Sequence, residues 1–242
     1  MKLLDLTLPS PAENLAADEV LLDWCEAGRG EETLRFWEPR EPFVVVGYAN
    51  RIATEVHGPA CAARGIPIYR RCSGGGTVVQ GPGCLNYSLV LRITAAGPLH
   101  NIAVANQFIL RRNRAAIASL FPAPHPAVAI RGHTDLAMRD RKFSGNSQRR
   151  RKLFLLFHGT FLLDFDLRLI GELLPLPSQQ PAYRENRSHD RFLMNLQLPA
   201  DKVKAALRHA WQADAPLPRP PLEKVLALAR EKYVTGEWNL KF

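Results

Sequence analysis

Between Thr33 and Phe165 the chain is punctuated by short apolar runs: "TLRFWE", "FVVVGY", "IPIYRR", "GTVVQ", "LNYSLVLRI", "PHPAVAI", "TDLAMR" and "FLLFHGTFLLDF". They are rich in β-branched and aromatic residues and are separated by glycine and charged turns. Runs of this length and composition suit a pleated surface of which one face is covered. Helical periodicity breaks in only at residues 54–64 and 101–120. That is too rare for the strand–helix alternation of a doubly wound parallel sheet. The pattern predicts an α+β fold, with a mixed, largely antiparallel sheet flanked by helices.

The helices announce themselves by their ends. "SPAENLAADEVLLDWCEA" starts with Ser10 and Glu13 at capping-box spacing, has Pro11 at its first turn and stops at Gly28. Leu15, Val20, Leu21, Leu22 and Trp24 would supply its buried side. In the helix over 101–120, Ile102, Val104, Phe108, Ile109, Ile117 and Leu120 are expected inward. "FLLFHGTFLLDF" is expected at the sheet centre, with a kink or a close ligand at His158–Gly159. Beyond residue 166, "DLRLIGELL" predicts a short helix and 176–199 is loop-rich. Two amphipathic helices follow over 200–212 and 221–235, joined by "APLPRPP", the one convincing internal boundary. Residues 1–242 are read as one domain whose last part, about 200–242, is helical.

Composition removes several classes. Hydrophobic residues make up 46% and charged residues 23%, ordinary for a folded globular chain. The most apolar run, Leu153–Leu163, is far short of the roughly 20 residues of a membrane span and contains His158. "MKLLDLTLPSP" carries Asp5 and does not read as a signal peptide, so a cytoplasmic location is expected. Cys25, Cys61, Cys72 and Cys84 form no C-x-x-C pair, which argues against zinc and for reduced, mostly buried thiols. The net charge of +9 points to an anionic partner. Without an aromatic–basic RNP-type motif, nucleic acid is not expected to be that partner.

Chemistry concentrates in two stretches. In "RRCSGGGTVVQGPGCLNYSL", Gly74, Gly75 and Gly76 form a main chain without side chains behind Arg70, Arg71 and Ser73. Strand alternation sends the two arginines to opposite faces, so one of them is expected to face the site. Guanidinium, hydroxyl and free N–H groups together suit a phosphate or carboxylate. Neither a Walker loop nor a helix-opening G-x-G-x-x-G is present. In "GHTDLAMRDRKFSGNSQRRRKLFLLFHGTF", Lys142 stands three residues before Gly145 in what reads as a polar loop, and His158–Gly159 interrupt an apolar run. Taken singly, Lys142 reads as a solvated lysine and His158 as a hydrogen-bonded core histidine.

Together these segments resemble the lipoate–protein ligase family and its octanoyl- and lipoyl-transferase relatives. More distantly they resemble biotin–protein ligases and the class II aminoacyl-tRNA synthetase catalytic fold. "NLAADEVLL", "RRCSGGGTVVQGPGCLNYSL", "TDL" before "KFSGNSQRR", "HGTFLLDFD" and "KYVTGEWN" occur in the family's order. The likeness covers most of residues 10–170 and, more loosely, the C-terminal helices.

The resemblance implies ATP- and Mg²⁺-dependent ligation of lipoate or octanoate. The acyl-adenylate formed would pass its acyl group to one lysine of an acidic lipoyl carrier domain. Lys142 would be catalytic, stabilising charge at the carboxyl or phosphate. Arg71, Ser73, Gly74, Gly75, Gly76, Thr77 and Val78 would cradle the acyl-adenylate, with Gly145 letting the lysine loop close. Asn86 and Asp135 would touch nucleotide or metal, although no metal ligand set is assigned. His158 and Gly159 would line the acyl tunnel. The resemblance leaves as alternatives an ATP-independent octanoyl or lipoyl transferase and a homologue that only binds lipoate or its adenylate. The transferases use a cysteine, yet Ala129 or a neighbour stands where one class carries it, and residues 165–242 contain none. No full C-terminal accessory domain is expected within residues 1–242, so a separate accessory protein is a candidate partner. Gln80 stands where ligases commonly have histidine.

Overall fold

The computed structural model describes residues 1–124 and 127–242. His125 and Pro126, the second and third residues of the "PHPAVAI" run, lie outside the described residues. Strands are β1 (Lys2–Asp5), β2 (Thr33–Trp37), β3 (Phe43–Val46), β4 (Ile68–Arg70), β5 (Val78–Gln80), β6 (Cys84–Arg92), β7 (Val128–Arg131), β8 (Asp135–Met138), β9 (Arg141–Arg150), β10 (Phe154–Leu162) and β11 (Ala215–Pro216). Helices are α1 (Pro11–Glu26), α2 (Ile52–Glu55), α3 (Gly58–Ala63), α4 (Ile102–Ala118), α5 (Leu167–Leu173), α6 (His189–Phe192), α7 (Ala200–Trp211), α8 (Leu222–Leu228) and α9 (Gly236–Asn239). A π-helical turn at Ala229–Tyr233 prolongs α8.

The main sheet has eight strands in the order β11-β1-β2-β6-β10-β9-β8-β7. Only the pairings of β1 with β2 and β11 are parallel. A second sheet, β4-β3-β5, stands apart. This is the mixed, largely antiparallel α+β architecture that the strand spacing requires. One face of the main sheet packs on α4 and α7 through Tyr87, Phe157, Phe161, Ile109, Leu207 and Trp211. The other face and the small sheet enclose the candidate site.

α1 begins as its sequence dictates. Ser10 Oγ accepts from Glu13 N, and the Glu13 carboxylate accepts from Ser10 N. α8 and its π turn pack on α1 through Val225, Ala229 and Tyr233. Ala215 and Pro216 of the "APLPRPP" linker add a short strand beside β1. Among the described residues no helix is long and apolar enough to cross a membrane.

Four expectations need correction. Residues 54–64 are not one helix: Gly58 and Pro59 restart the chain, giving α2 and α3. On α4, Ile102, Val104 and Phe108 are exposed, because the neighbouring positions Ala105, Ile109 and Leu110 face the sheet. The supposed lysine loop is the long strand β9, whose polar residues face the cavity and the turns around it. No kink occurs at His158–Gly159, since β10 pairs without a break with both β6 and β9.

Candidate active site

Cross-strand partners share a face of a sheet. The registers therefore set Trp37, Asn86, Thr160, Gly145 and Asp135 in one row across five strands. Two residues along, Arg35, Ser88, His158 and Ser147 form the next row on the same face. The glycine turn, the small sheet and the segment from α5 to α6 roof this face, leaving a cavity of about 1100 Å³. Leu15, Trp37, Val45, Val78, Ile170 and Leu174 give it apolar wall; Lys142, Gly75 and Gly76 line the same space.

Strict alternation would put Lys142 and Gly145 on opposite faces of β9. The register between β8 and β9 shifts: Leu136 opposes Ser144 and Ala137 opposes Lys142, which leaves Phe143 as an extra residue. Such a bulge re-aims the side chains around it. Phe143 enters the core, and Lys142 turns to the cavity. Its Nζ lies 2.8 Å from Asp135 Oδ1. The Tyr183 hydroxyl donates to the other oxygen of Asp135 at 2.8 Å. A Cβ on Gly145 would come within 2.8 Å of Lys142 Cε and Nζ. The glycine is thus the floor on which the ammonium rests, not a hinge for a loop.

Gly75, at φ +87°, is the one glycine of the three in the left-handed region. Arg71 holds the turn from behind. Its Nη2 donates to the carbonyls of Gly74 at 2.6 Å and Gly76 at 2.8 Å, and its Nε to Ser73 Oγ at 3.1 Å. Burial lowers the Arg71 guanidinium to about 10, so it remains charged at neutral pH. Ser147 Oγ also donates to the Gly74 carbonyl, at 2.9 Å. With the carbonyls drawn back, the amides of Gly75, Gly76 and Thr77 donate to no protein acceptor among the described residues. A Cβ on Gly74 or Gly76 would meet nothing within 4 Å. Thr77 Oγ1 accepts from Asn50 Nδ2 at 3.2 Å. As alternation requires, Arg70 points away from the site.

From the cavity wall a buried polar chain runs back to the glycine turn. His158 Nδ1 lies 2.9 Å from Asp18 Oδ2, and its Nε2 lies 2.6 Å from Ser73 Oγ. Asp18 Oδ1 accepts from Arg35 Nη1 at 2.8 Å and Ser88 Oγ at 2.9 Å. A carboxylate only accepts, so His158 Nδ1 donates to Asp18, while Ser73 Oγ accepts from Arg71 and shares a hydrogen bond with Nε2. Burial alone would raise the Asp18 carboxyl. The hydrogen bond from His158 and the attraction of Arg35 outweigh it and hold the group below its ordinary value of 3.8. α1 is thereby coupled through His158 to the glycine turn.

A second network lies on the cavity wall. Gln80 Nε2 donates to Thr160 Oγ1 at 2.7 Å, Thr160 Oγ1 to Asn86 Oδ1 at 2.5 Å, and Asn86 Nδ2 to Gln80 Oε1 at 2.9 Å. This closed ring occupies the Asn86 carbonyl. Gly159 has no side chain because a Cβ there would strike the Asn146 side chain, which accepts from Tyr87 Oη at 2.6 Å. The donor set does not fit a protein-held Mg²⁺. Asp135 is shared by Lys142 and Tyr183, and no group of three His, Cys, Asp or Glu side chains among the described residues could hold a metal.

Of the residues singled out from sequence, Arg71, Gly75, Gly76, Thr77, Val78, Asn86, Asp135, Lys142, Gly145, His158 and Gly159 line the cavity. Ser73 and Gly74 stand behind it. Sequence reasoning missed Asp18, Arg35, Thr160 and Tyr183. For the first two the available signal was a charged residue at an inward position, of α1 for Asp18 and of β2 for Arg35. Thr160 and Tyr183 carried none.

Known proteins are similar to this chain in sequence and in fold. Octanoyltransferase LipM of Geobacillus kaustophilus (strain HTA426) is 26% identical over 96% of this chain and 94% of its own length. A bi-partite lipoate protein ligase of Thermoplasma acidophilum, described with its E2 lipoyl domain, superimposes with a TM-score of 0.78 at 21% identity, over 99% of this chain and 95% of that one. A putative lipoate protein ligase from T. acidophilum with bound lipoic acid gives 0.76 at 25%, over 99% and 98%. A lipoate-protein ligase A bound with ATP gives 0.77 at 24%, over 99% and 98%. The Lipoyl protein ligase A/B catalytic domain family matches residues 10–210, and the chain belongs to that family.

Proposed function

We propose that the protein transfers an octanoyl or lipoyl group to a lysine of a lipoyl carrier domain. The observation that carries this reading is the pairing, across one cavity, of the Lys142 ammonium with the unpartnered amides of Gly75 and Gly76. An acyl carbonyl held between them would find cation and N–H dipoles already oriented toward its oxygen. Negative charge develops on that oxygen as the acceptor amine attacks. The apolar wall would take the acyl chain, each buried methylene contributing about 0.8 kcal/mol.

Transfer from an acyl thioester without ATP is the favoured route. The similar LipM is an octanoyltransferase. The carrier amine attacks the thioester carbonyl, the C–N bond forms, the C–S bond breaks, and the thiol leaves with the proton. One observation favours the ATP-dependent ligase as the second reading: no cysteine lines the cavity. Cys25, Cys72 and Cys84 are buried, and burial pushes each thiol up to about 12, far from a nucleophilic thiolate. A solved neighbour bound with ATP supports that reading too.

Intact mass spectrometry of a lipoyl carrier domain separates the routes. The favoured reading predicts an octanoyl adduct from an octanoylated thioester donor without ATP. Modification only with free acid, ATP and Mg²⁺ would establish the ligase instead. No adduct under either condition would remove both.

A further inference from the structure

"KYVTGEWN" contributes nothing to the cavity wall, but its contacts give it a place beside the cavity mouth. Thr235 caps α9. The Trp238 indole N–H donates to the Arg70 carbonyl at 2.8 Å, and Asn239 Oδ1 accepts from Arg70 N at 2.9 Å. The Arg70 guanidinium is fully buried and has no carboxylate partner among the described residues. It donates to the carbonyls of Trp238 and Asn239 on one side, and of Gly47, Tyr48 and Asn50 on the other. One buried cation therefore ties the C-terminal segment to the loop that abuts Gly75. A side chain on Gly47 would strike the Gly75 carbonyl, and Tyr48 N donates to the Ser73 carbonyl at 2.8 Å.

The result is a cluster of cations on aromatic rings. Lys241 Nζ lies 3.9 Å from the ring centre of Tyr48, 4.2 Å from that of Trp238 and 4.8 Å from that of Phe242. The Arg149 guanidinium lies 5.6 Å from the Tyr48 ring, and its Nε is buried without an acceptor. Arg51, exposed, lines the adjoining mouth. An aromatic face attracts a cation without cancelling its charge. Arg51, Arg149 and Lys241 form no ion pair among the described residues, whereas Arg151, Arg131 and Lys204 elsewhere on the surface do. Glu237, the only carboxylate side chain from Thr235 onward, pairs with none of the three. The rim beside the glycine turn therefore carries three cations that form no ion pair among the described residues.

We propose that this cation–aromatic rim docks the acidic face of the protein that presents the acceptor lysine. The proposal rests on the acyl-transfer reading above. The acceptor amine has to cross the rim to reach a carbonyl held between Lys142 and Gly75. Carboxylates flanking that amine would meet Lys241, Arg149 and Arg51, while exposed Tyr48 and Phe242 offer apolar contact.

The test is the double variant Arg149→Glu/Lys241→Glu, checked for an unchanged melting temperature, with Arg149→Ala as a milder companion. Steady-state acylation is measured with carrier and donor varied in turn, at low and high salt. Loss of complementary rim charges should raise the carrier KM roughly tenfold or more at low ionic strength, and screening should erase much of that difference at high salt. The donor KM and kcat should stay at wild-type values. Lysine substitutions on the acidic face of the carrier should restore binding to the double variant. An unchanged carrier KM at low salt, or a rise in the donor KM instead, would overturn the proposal. Fluorescence anisotropy of the unmodified carrier, without donor, separates the two claims. Binding without acylation removes the functional reading alone, and undiminished binding by the double variant removes the rim.

Discussion

Replacing Gly145 with alanine should cut turnover sharply while leaving the protein folded. The added Cβ would lie 2.8 Å from Lys142 Cε and Nζ, against a comfortable separation of about 3.5 Å. The difference, 3.5 − 2.8, asks the ammonium to move by about 0.7 Å. Its 2.8 Å contact with Asp135 goes with that movement. The displaced atoms are the end of a flexible side chain, 26% exposed, so the stability cost should stay near the few tenths of a kcal/mol of an ordinary surface change, about 0.5 kcal/mol. Misplacing a reacting group by ~1 Å can cost ~10²-fold in rate. The expected result is a ~10²-fold loss of kcat with little change in melting temperature. Initial rates of carrier acylation by intact mass, beside thermal denaturation, read both quantities. Lys142→Ala sets the floor for the comparison. Gly74→Ala is the control, because a Cβ there meets nothing within 4 Å. Wild-type kcat in Gly145→Ala, or equal damage from Gly74→Ala, would refute the reasoning.

Gly75→Val should weaken acyl-ligand binding, measured by titration calorimetry with octanoate or lipoate. φ +87° disfavours a branched residue, and even a Cβ would press on Arg71 Nη2 at 2.9 Å. Unchanged affinity would count against the cradle. Asp18→Asn should cost ~3–5 kcal/mol in urea denaturation, because it strands the buried Arg35 charge. In the wild type the depressed Asp18 carboxyl contributes stability that is complete above its ordinary value of 3.8 and is lost as pH falls through the lower folded value. Stability already falling at neutral pH for this reason would contradict the sign. Cys72→Ala should leave acylation intact, since the thiol is buried and pushed up to about 12; a folded but inactive variant would restore a thioester route through that residue.

The strands were legible because side-chain alternation and turn residues are local properties. The start of α1 was legible because Ser10, Pro11 and Glu13 carry their capping chemistry in adjacent positions. β9 was misread because "KFSGNSQRR" is polar on both sides: one side faces a wet cavity, and the other hydrogen-bonds Thr134 and Asn106. The bulge at Phe143 depends on the β8 register, which no single stretch encodes. α4 was misoriented because two exposed aliphatic residues and Phe108 match the periodicity as well as the buried set does. Asp18, Arg35 and Tyr183 reach the site through partners 140, 17 and 48 residues away in sequence. Such contacts become visible only once the sheet is assembled. The resemblance supplied the residues of the turn and the lysine strand. It did not supply the division of labour in which Arg71 and Ser73 brace the main chain while the amides face the cavity.

A crystal structure with octanoate or lipoate bound examines the central claim most directly. The account predicts the carboxyl group within hydrogen-bond reach of Lys142 Nζ and of the amides of Gly75 and Gly76, with the acyl chain along the apolar wall formed by Leu15, Trp37 and Val45. A carboxyl group bound elsewhere, with Lys142 still closed on Asp135 and the glycine amides facing water, would contradict it.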